Sequence, residues 1–430
     1  MIDLTGKRLL VLGGGSAALS VVQTAKEAGV YTIATDYLDD GEAKRLADET
    51  ALVSTADIPA LAELMKQKHL DGVFCGPSEF NLQNAIKLCE YMGIPFYATS
   101  AQWDQCADKA NFKAMCRKHG VPCVPEYHVT EEFLDEDLAS VRYPVMVKPV
   151  DASSSRGIAV CYDRNELIQA YRIALTFSVK KKVIVEKYIS NENLFAVRYV
   201  VYHGQPHMLL ANDRYVVDPV GRRALISGVA IYPSKHTARY LKTIDKNVQN
   251  MLRDLGVQNG AMFMQALIDP EDGNIYFHEM GLRLSGGLTY SITGPTTGIN
   301  DMLMMIRLAV GAEFSTPEEI AKVDPYLNGK TAIALCIPLR AGVIASIEGV
   351  EEALAPLALL NYTQYYQVGA EITDANIGTL DQHFCRIKFL VDRSEDIAPT
   401  IHYIQDHLKI CDAQGQSMIF MPFDTNRLSL

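Results

Sequence analysis

Long apolar runs are missing from this sequence. No window reaches ~18 uninterrupted apolar residues, the length a membrane-crossing helix needs. The apolar stretch near the N-terminus, Leu9 to Leu12, is too short for a signal-peptide core. A Lys/Arg block is missing as well. With 51 Asp and Glu against 40 Lys and Arg, the formal net charge is −11. That balance argues against a nucleic-acid partner and against an anionic membrane surface, although a local basic pocket for phosphate remains compatible with it. Paired cysteines are missing too. The nine Cys are scattered, odd in number and never in a CxxC spacing. They read as reduced thiols of a cytoplasmic protein, not as a disulfide frame or a zinc site. No internal repeat and no low-complexity segment occurs. What is present is ordinary globular usage, 48% hydrophobic and 21% charged over 430 residues, which implies two or three domains.

The chain opens with short apolar strands alternating with helical spacing. Arg8–Leu12, Tyr31–Thr35, Gly72–Cys75 and Ile94–Tyr97 read as strands. Ala17–Ala28 reads as a helix stopped by Gly29. Such alternation predicts a parallel sheet wrapped by helices. The middle changes character. Glu126–Val129, Val145–Lys148, Ile158–Cys161 and Val183–Glu186 are closely spaced strands, followed by the pair Phe195–Tyr202 and His207–Ala211. Tyr240–Leu255 has the spacing of one amphipathic helix. Met262–Ile268 and Ile275–Glu279 form a hairpin across a segment rich in turn formers, and Asp301–Val310 is a further helix. Thr316–Gly329 is punctuated by Pro and Gly and marks a boundary. Beyond it lie short strands and one late helix, Ile397–Leu408.

Two glycine signals need weighing. Gly13-Gly14-Gly15-Ser16-Ala17-Ala18 follows a strand, opens a helix, and fits G-x-G-x-x-A, with Asp36 at the end of the next strand. Alone this suggests a dinucleotide-binding dehydrogenase, but such turns also need glycine for purely conformational reasons. A helix N-terminus there would favour any anion, a substrate carboxylate included. Gly329-Lys330-Thr331 resembles the end of a P-loop, yet position 324 is Asp and the segment leads into a strand. It is set aside.

The chemistry concentrates between Asp108 and Gly287. Lys148 ends an apolar strand and is followed by Asp151-Ala152-Ser153-Ser154-Ser155-Arg156-Gly157 and another strand. An ammonium beside a small-residue turn suits phosphate, because the turn supplies hydroxyl and N–H donors. A lysine at a strand end can also simply reach solvent. His278-Glu279 lies opposite Met264-Gln265, and Arg283 and Ser285-Gly286-Gly287 follow. Glu279 could pair with Arg283, since a buried carboxylate needs a cation. The other reading has Glu279 binding magnesium and Arg283 facing a phosphoryl group.

Taken in order, these segments resemble the ATP-grasp superfamily, in its biotin-carboxylase-like and L-amino-acid-ligase-like branch. The resemblance rests on Asp108-Lys109, Asn111-Phe112-Lys113, Gly120-Val121-Pro122, Pro144-Val145-Met146-Val147-Lys148-Pro149, the Ser/Gly turn, Glu186-Lys187-Tyr188-Ile189, and Phe277-His278-Glu279-Met280-Gly281-Leu282-Arg283-Leu284-Ser285-Gly286-Gly287. Arg340-Ala341-Gly342-Val343-Ile344 with Ile347-Glu348-Gly349 is similar to that branch's C-terminal lobe. The resemblance implies α/β and α+β architecture in three parts. These are an N-terminal parallel-sheet preATP-grasp domain over 1–105, an ATP-grasp domain over 106–315 with a small lid within 115–190, and a C-terminal lobe over 316–430.

The resemblance also implies roles. Lys109 and Lys148 would contact ATP phosphates under a lid of Ser153, Ser154, Ser155 and Gly157. Glu186, Lys187, Tyr188 and Ile189 would form the adenine hinge, mostly through backbone groups of Lys187 and Ile189, and Glu192, with Asn193 as the competing position, would hold ribose. Glu279 and Gln265 would bind Mg²⁺ or Mn²⁺. Arg283 would stabilise the transition state that forms an acyl phosphate. Ser285, Gly286 and Gly287 would offer donors to the reacting acid, with Arg214 holding the substrate. Two positions depart from the pattern: Gln265 stands where a metal carboxylate is usual, and Gly281 where an Asn is usual. A neutral amide oxygen is the weaker magnesium ligand.

The function implied is an ATP-dependent carboxylate–amine ligase that releases ADP and phosphate from small-molecule substrates, in the cytoplasm and as a homodimer. A nucleotide-binding protein without turnover is the alternative that Gln265 and Gly281 raise. A bicarbonate-activating or purine-pathway enzyme is a further one, although neither a biotinylation domain nor a bicarbonate-site pattern is apparent. The dehydrogenase ranks last, since it leaves Lys148 through Arg283 unexplained.

Overall fold

The computed structural model describes residues 2–151, 157–190, 194–217 and 226–428. Four parallel strands open the chain: β1 (Arg8–Leu12), β2 (Tyr31–Thr35), β3 (Glu49–Ala51) and β4 (Gly72–Phe74), in spatial order β3-β2-β1-β4. β1 and β2 are buried at nearly every position, as expected of strands covered on both faces. The first helix, Ser16–Glu27, gives way at Gly29, whose φ of +80° suits glycine. No strand forms over 94–97. Pro95 cannot donate to a ladder, and Tyr97 instead reaches across to donate its hydroxyl to the Leu282 carbonyl at 3.1 Å.

Two capped helices lead on. Thr99 and Gln102 form a reciprocal capping box for Ser100–Ala107, and the Asp108 carboxylate accepts from the N–H groups of Ala110 and Asn111 to start Lys109–His119. A small antiparallel sheet follows, formed by β5 (Glu126–Tyr127), β6 (Val145–Pro149), β7 (Ala159–Cys161) and β8 (Val183–Lys187), ordered β5-β8-β6-β7. The helix Arg164–Phe177 packs on it through Leu167, Ala170 and Ala174.

The molecule's centre is an eight-stranded antiparallel sheet. It takes β9 (Leu194–Tyr202), β10 (Gln205–Val216), β11 (Ser227–Tyr232), β12 (Gly260–Ile268), β13 (Ile275–Gly281) and β14 (Thr331–Pro338). The chain then adds β15 (Gly342–Val343), β16 (Ser346–Glu348), β17 (Ala358–Gln364), β18 (Glu371–Ile372), β19 (His383–Val391) and β20 (Lys409–Cys411). The large sheet is ordered β13-β12-β9-β10-β11-β14-β19-β17, while β15 pairs β18 and β16 pairs β20. Three of its strands therefore come from beyond residue 316, and the sheet runs across the boundary read there. The spacing that reads as one helix over Tyr240–Leu255 is two, Thr237–Thr243 and Asp245–Leu255, broken at Ile244. Just past the break, the Asp245 carboxylate accepts from the Tyr199 hydroxyl and from Gln249, a buried network whose geometry outweighs an unbroken helix.

Side chains alternate across the large sheet. One face carries Phe195, Val197, Tyr199 and Val201 of β9 into a core with Met262, Met264 and the helix residues Val248, Met251 and Leu252. The other face carries Ala196, Arg198 and Val200. Followed through the strand pairings, that second face holds Glu279, Gln265, Arg198, Asn212, Arg214, Cys336, Arg386 and Lys388. One face of one sheet thus collects the polar side chains that the sequence scatters over more than a hundred positions.

Candidate active site

Lys148 projects from β6 beside β8, where Met146 pairs Glu186 and Lys148 pairs Ile184. Its ammonium lies 2.5 Å from Glu186. The other oxygen of Glu186 accepts from Lys113 at 2.5 Å. Lys113 is 1% exposed and Glu186 2% exposed, so a carboxylate is sealed between two lysines from different elements. Burial works against the charge of Glu186, but the two ammonium groups outweigh it and hold the carboxyl below its usual range. Lys148 is the half of this triad that reaches the open side, 12% exposed. Glu186 therefore fixes Lys148 in place.

Lys109 opens its helix and donates its backbone N–H to the Val150 carbonyl at 3.2 Å. Burial lowers the pKa of its ammonium, and Glu279 opposes that shift. Glu279, exposed on β13 directly opposite Gln265, enters no ion pair among the described residues. The register slips between Gln265 and Ala266, so His278 is an extra residue on β13. Its Nε2 is buried and has no hydrogen-bond partner among the described residues, within electrostatic reach of Lys148, Glu186, Arg214 and Lys109. Burial and those cations push its pKa down to about 3. His278 was not singled out by sequence reasoning, and nothing short of the bulge could have singled it out.

At the hinge, Lys187 donates its N–H to the Pro125 carbonyl at 2.9 Å and Tyr188 donates to Pro144 at 3.2 Å. These bonds leave the N–H of Ile189 as the next one along. The Lys187 ammonium bonds Asp269 at 2.6 Å and also Glu271, tying the hinge to the turn between β12 and β13. Ser153, Ser154, Ser155, Glu192 and Asn193 lie outside the described residues, while Gly157 turns at φ +71° beside Phe177.

Arg283 follows β13, but its Nε donates to Glu79, at the start of the helix Glu79–Met92, at 2.6 Å, and its guanidinium stands 4.9 Å over the Phe263 ring. Glu79 also accepts from Trp103 at 2.7 Å. The pairing of Arg283 is thus with Glu79 and not with Glu279. A side chain at Gly281 has no room: a Cβ there would come within 2.3 Å of the Phe263 ring. The aromatic ring fills the space that an Asn would need.

Ser285 accepts from Arg198 Nε at 3.0 Å, Gly286 offers its carbonyl to Arg386 at 2.9 Å, and Gly287 faces the Arg198 guanidinium and the Tyr232 hydroxyl. Arg214 lies on the same sheet face with Nε buried and without a hydrogen-bond partner among the described residues. Sequence reasoning named Arg214 and the glycines but missed Arg198, Arg386 and Lys388. The available signal was cations at period two in otherwise apolar strands, as in Phe384-Cys385-Arg386-Ile387-Lys388-Phe389.

The glycine-rich turn is self-contained. Gly14 donates its N–H to Asp36 at 3.0 Å, and Asp36 also accepts from Leu38 at 3.1 Å. Gly41 packs on the Gly14 carbonyl so closely that a Cβ would come within 2.2 Å of it. Asp36 is thus spent on its own loop.

A carboxylate (Glu279) beside an amide side chain (Gln265), within electrostatic reach of Lys109 and Arg214, is a donor set that fits a magnesium ion shared with phosphate oxygens and waters. With Gly281 blocked, the protein's carboxylate contribution on β13 is Glu279.

Three comparisons with known proteins bear on this geometry. Residues 108–316 match the family described as "Carbamoyl-phosphate synthase L chain, ATP binding domain". The small subunit of 2-oxoglutarate carboxylase of Hydrogenobacter thermophilus is 25% identical over 341 residues, covering 74% of this chain and 70% of that protein. Biotin carboxylase of Pseudomonas aeruginosa is 26% identical over 336 residues, covering 73% and 72%. Among solved structures, L-amino acid ligase from Bacillus licheniformis superposes with a TM-score of 0.74 at 22% identity, covering 95% of this chain and 99% of that one. The biotin carboxylase domain dimer of the Hydrogenobacter enzyme, solved with MgADP, ADP and bicarbonate, gives 0.76 at 21% identity, covering 94% and 90%. These two likenesses establish the fold.

Proposed function

We propose that this chain, an ATP-grasp protein by its residues 108–316 and its fold, is an ATP-dependent ligase that activates a small carboxylic acid and joins it to an amine. The observation that carries this reading is the buried Lys113–Glu186–Lys148 triad. It spends a sealed carboxylate on aiming one ammonium at a face that also presents Lys109, Glu279 and Arg214. A rigid cation at the mouth of a turn is what positioning and charge stabilisation of a phosphoryl group require.

In this reading Lys148 and Lys109 bind the ATP phosphates and the hinge at Lys187–Ile189 takes the adenine. A carboxylate oxygen of the acid attacks the γ-phosphorus, the bond to the β-phosphate oxygen breaks, and ADP leaves an acyl phosphate. The amine then attacks the acyl carbon and phosphate departs. Arg214 orients the acid, and Arg283 stabilises charge on the transferring group once it turns from Glu79. Glu279 and Gln265 would hold magnesium, which when bound supplies charge neutralisation across the phosphates. We place the protein in the cytosol, acting on small molecules. Among the described residues no helix is long and apolar enough to cross a membrane. A homodimer is proposed by likeness to the dimeric carboxylase domain.

ADP release tests the proposal: pooled carboxylic acids with and without pooled amines, plus bicarbonate as a separate arm. Release that needs both an acid and an amine supports the ligase. Release driven by bicarbonate alone moves the reading to a carboxylase. Tight ATP binding with no release from any pool favours a nucleotide-binding protein, which the blocked Gly281 position would explain. Lys148→Ala should lower kcat/KM by about 10²–10³-fold, the scale of losing one preorganised charge contact.

A further inference from the structure

We propose that the acid activated here carries a second anionic group, seated on Arg198 and Arg386 with Lys388 behind them, while Arg214 faces the carboxylate that reacts. The inference rests on the ligase reading and deepens it by naming the substrate class as a diacid or a phosphorylated carboxylic acid.

The argument is one of charge. Arg198, on β9, is 8% exposed, and Lys388, on β19, is 1% exposed. Arg386 lies two residues from Lys388 on the same face, opposite Cys336 of β14. Arg214, on β10, completes the set. Among the described residues, none of these four cations enters an ion pair. Their hydrogen-bond partners are neutral, while the buried Asp301 carboxyl lies within electrostatic reach of Arg198 and Lys388, and Glu279 within reach of Arg214. Arg198 bonds Ser285 Oγ at 3.0 Å and Asn212 Oδ1 at 2.5 Å. Arg386 bonds the Gly286 carbonyl at 2.9 Å. Lys388 bonds the Leu288 carbonyl at 2.8 Å and Ser291 Oγ at 2.6 Å. Arg214 Nε has no hydrogen-bond partner among the described residues. Buried charge is ordinarily paired, because burial without a counter-charge is costly. Burial pushes the Lys388 ammonium toward its neutral form, but among the described residues no carboxylate bonds the guanidiniums of Arg198, Arg214 and Arg386, so the row keeps donors for more than one anionic group.

Shape agrees with charge. The three guanidiniums all sense the Tyr232 side chain, and Arg198 stands 5.7 Å from its ring centre. Gly286 and Gly287 border this point without side chains, and a Cβ at Gly286 would meet nothing within 4 Å. Arg214 and Arg386 are three strands apart, about 14 Å of backbone at the usual strand spacing, and each lies within electrostatic reach of Tyr232 on a strand between them. A ligand with anions at both ends of a short chain meets both ends of the row, whereas a monoacid meets one.

The alternative is that Arg198, Arg386 and Lys388 do no more than anchor the 285–291 loop. Calorimetric titration of the full chain, with Mg²⁺ and a non-hydrolysable ATP analogue present, separates the two. The ligands are succinate, glutarate and adipate, the monoacids of matched length, and carboxylic acids bearing a phosphomonoester. We expect a diacid or a phosphorylated acid to bind at least tenfold more tightly than its matched monoacid, with the two arms telling which second group is preferred. Lys388→Met and Arg386→Gln should each reduce that preference below twofold, in variants whose cooperative thermal unfolding shows that they fold. Equal binding of mono- and dianionic acids, binding of neither, or a preference that survives both substitutions overturns the inference. ADP release run in parallel keeps the two readings apart. Dianion binding with no turnover would sink the ligase and leave this assignment standing. Equal kcat/KM for monoacids would do the reverse.

Discussion

Glu186 shows how much a single residue can be asked to do. Its carboxylate is sealed between Lys113 and Lys148, so removing its charge strands two ammonium groups, one of them fully buried. Glu186→Gln should cost about 3–5 kcal/mol of stability in urea unfolding, the usual penalty for breaking a buried pair from one side. ATP binding should weaken as well, because Lys148 loses its anchor. Asp301 is the opposite case. It is 5% exposed at the start of the helix Asp301–Ala309, and burial raises its pKa to about 6 despite Arg198. The folded state thus holds a proton between pH ~4 and 6 that the unfolded chain has released, so this residue destabilises the fold increasingly as pH rises through that window. Asp301→Asn should gain stability at pH 8 relative to pH 4, by an amount on the order of 2–3 kcal/mol if the full shift is realised. A Tm difference that does not change between those pH values would refute this.

At the scale of elements, the β12–β13 hairpin decides the metal chemistry and the helix that starts at Glu79 decides where Arg283 sits. Phe263 and Gly281 are register partners, and the ring occupies the space above the glycine. Gly281→Asn alone should therefore destabilise the hairpin by about 1–3 kcal/mol, the usual cost of overpacking. Paired with Phe263→Ala it should be tolerated, and only the pair can add a metal ligand. Counting bound Mn²⁺ by electron paramagnetic resonance, with an ATP analogue present, reads this directly as a rise in stoichiometry in the double variant. Arg283 is held by Glu79, on the helix Glu79–Met92, which Trp103 also grips. Glu79→Gln keeps the shape but drops the charge that competes for Arg283. A kcat that is unchanged in this variant would argue against Arg283 having to leave Glu79 during the reaction.

Across the whole molecule, the large sheet joins what the sequence separates. β11 is hydrogen-bonded to β10 on one side and to β14 on the other, and β14 continues into β19 and β17. A chain cut after residue 316 would expose the edge of β11 and the apolar residues Val229 and Ile231, which pack with Leu335, Ile387 and Phe389. We expect that fragment to aggregate on expression, although it contains the whole family-matched segment 108–316. A soluble, cooperatively unfolding fragment would show that the sheet divides there after all.

The sequence by itself determined the local grammar. Strands and capped helices follow from side-chain period, from Asp108 and Thr99 as caps, and from Gly29 and Gly120 as stops, because these depend on neighbours within a few residues. It also announced Lys148, Glu279 and Arg283 through their ordered motifs. Tertiary structure alone decided what each of these touches: Lys148 on Glu186, Arg283 on Glu79, Phe263 over Gly281, and a row of cations drawn from β9, β10 and β19. Such partners lie up to about two hundred positions apart. Long-range register and a one-residue bulge bring them together, and no short-range periodicity encodes either.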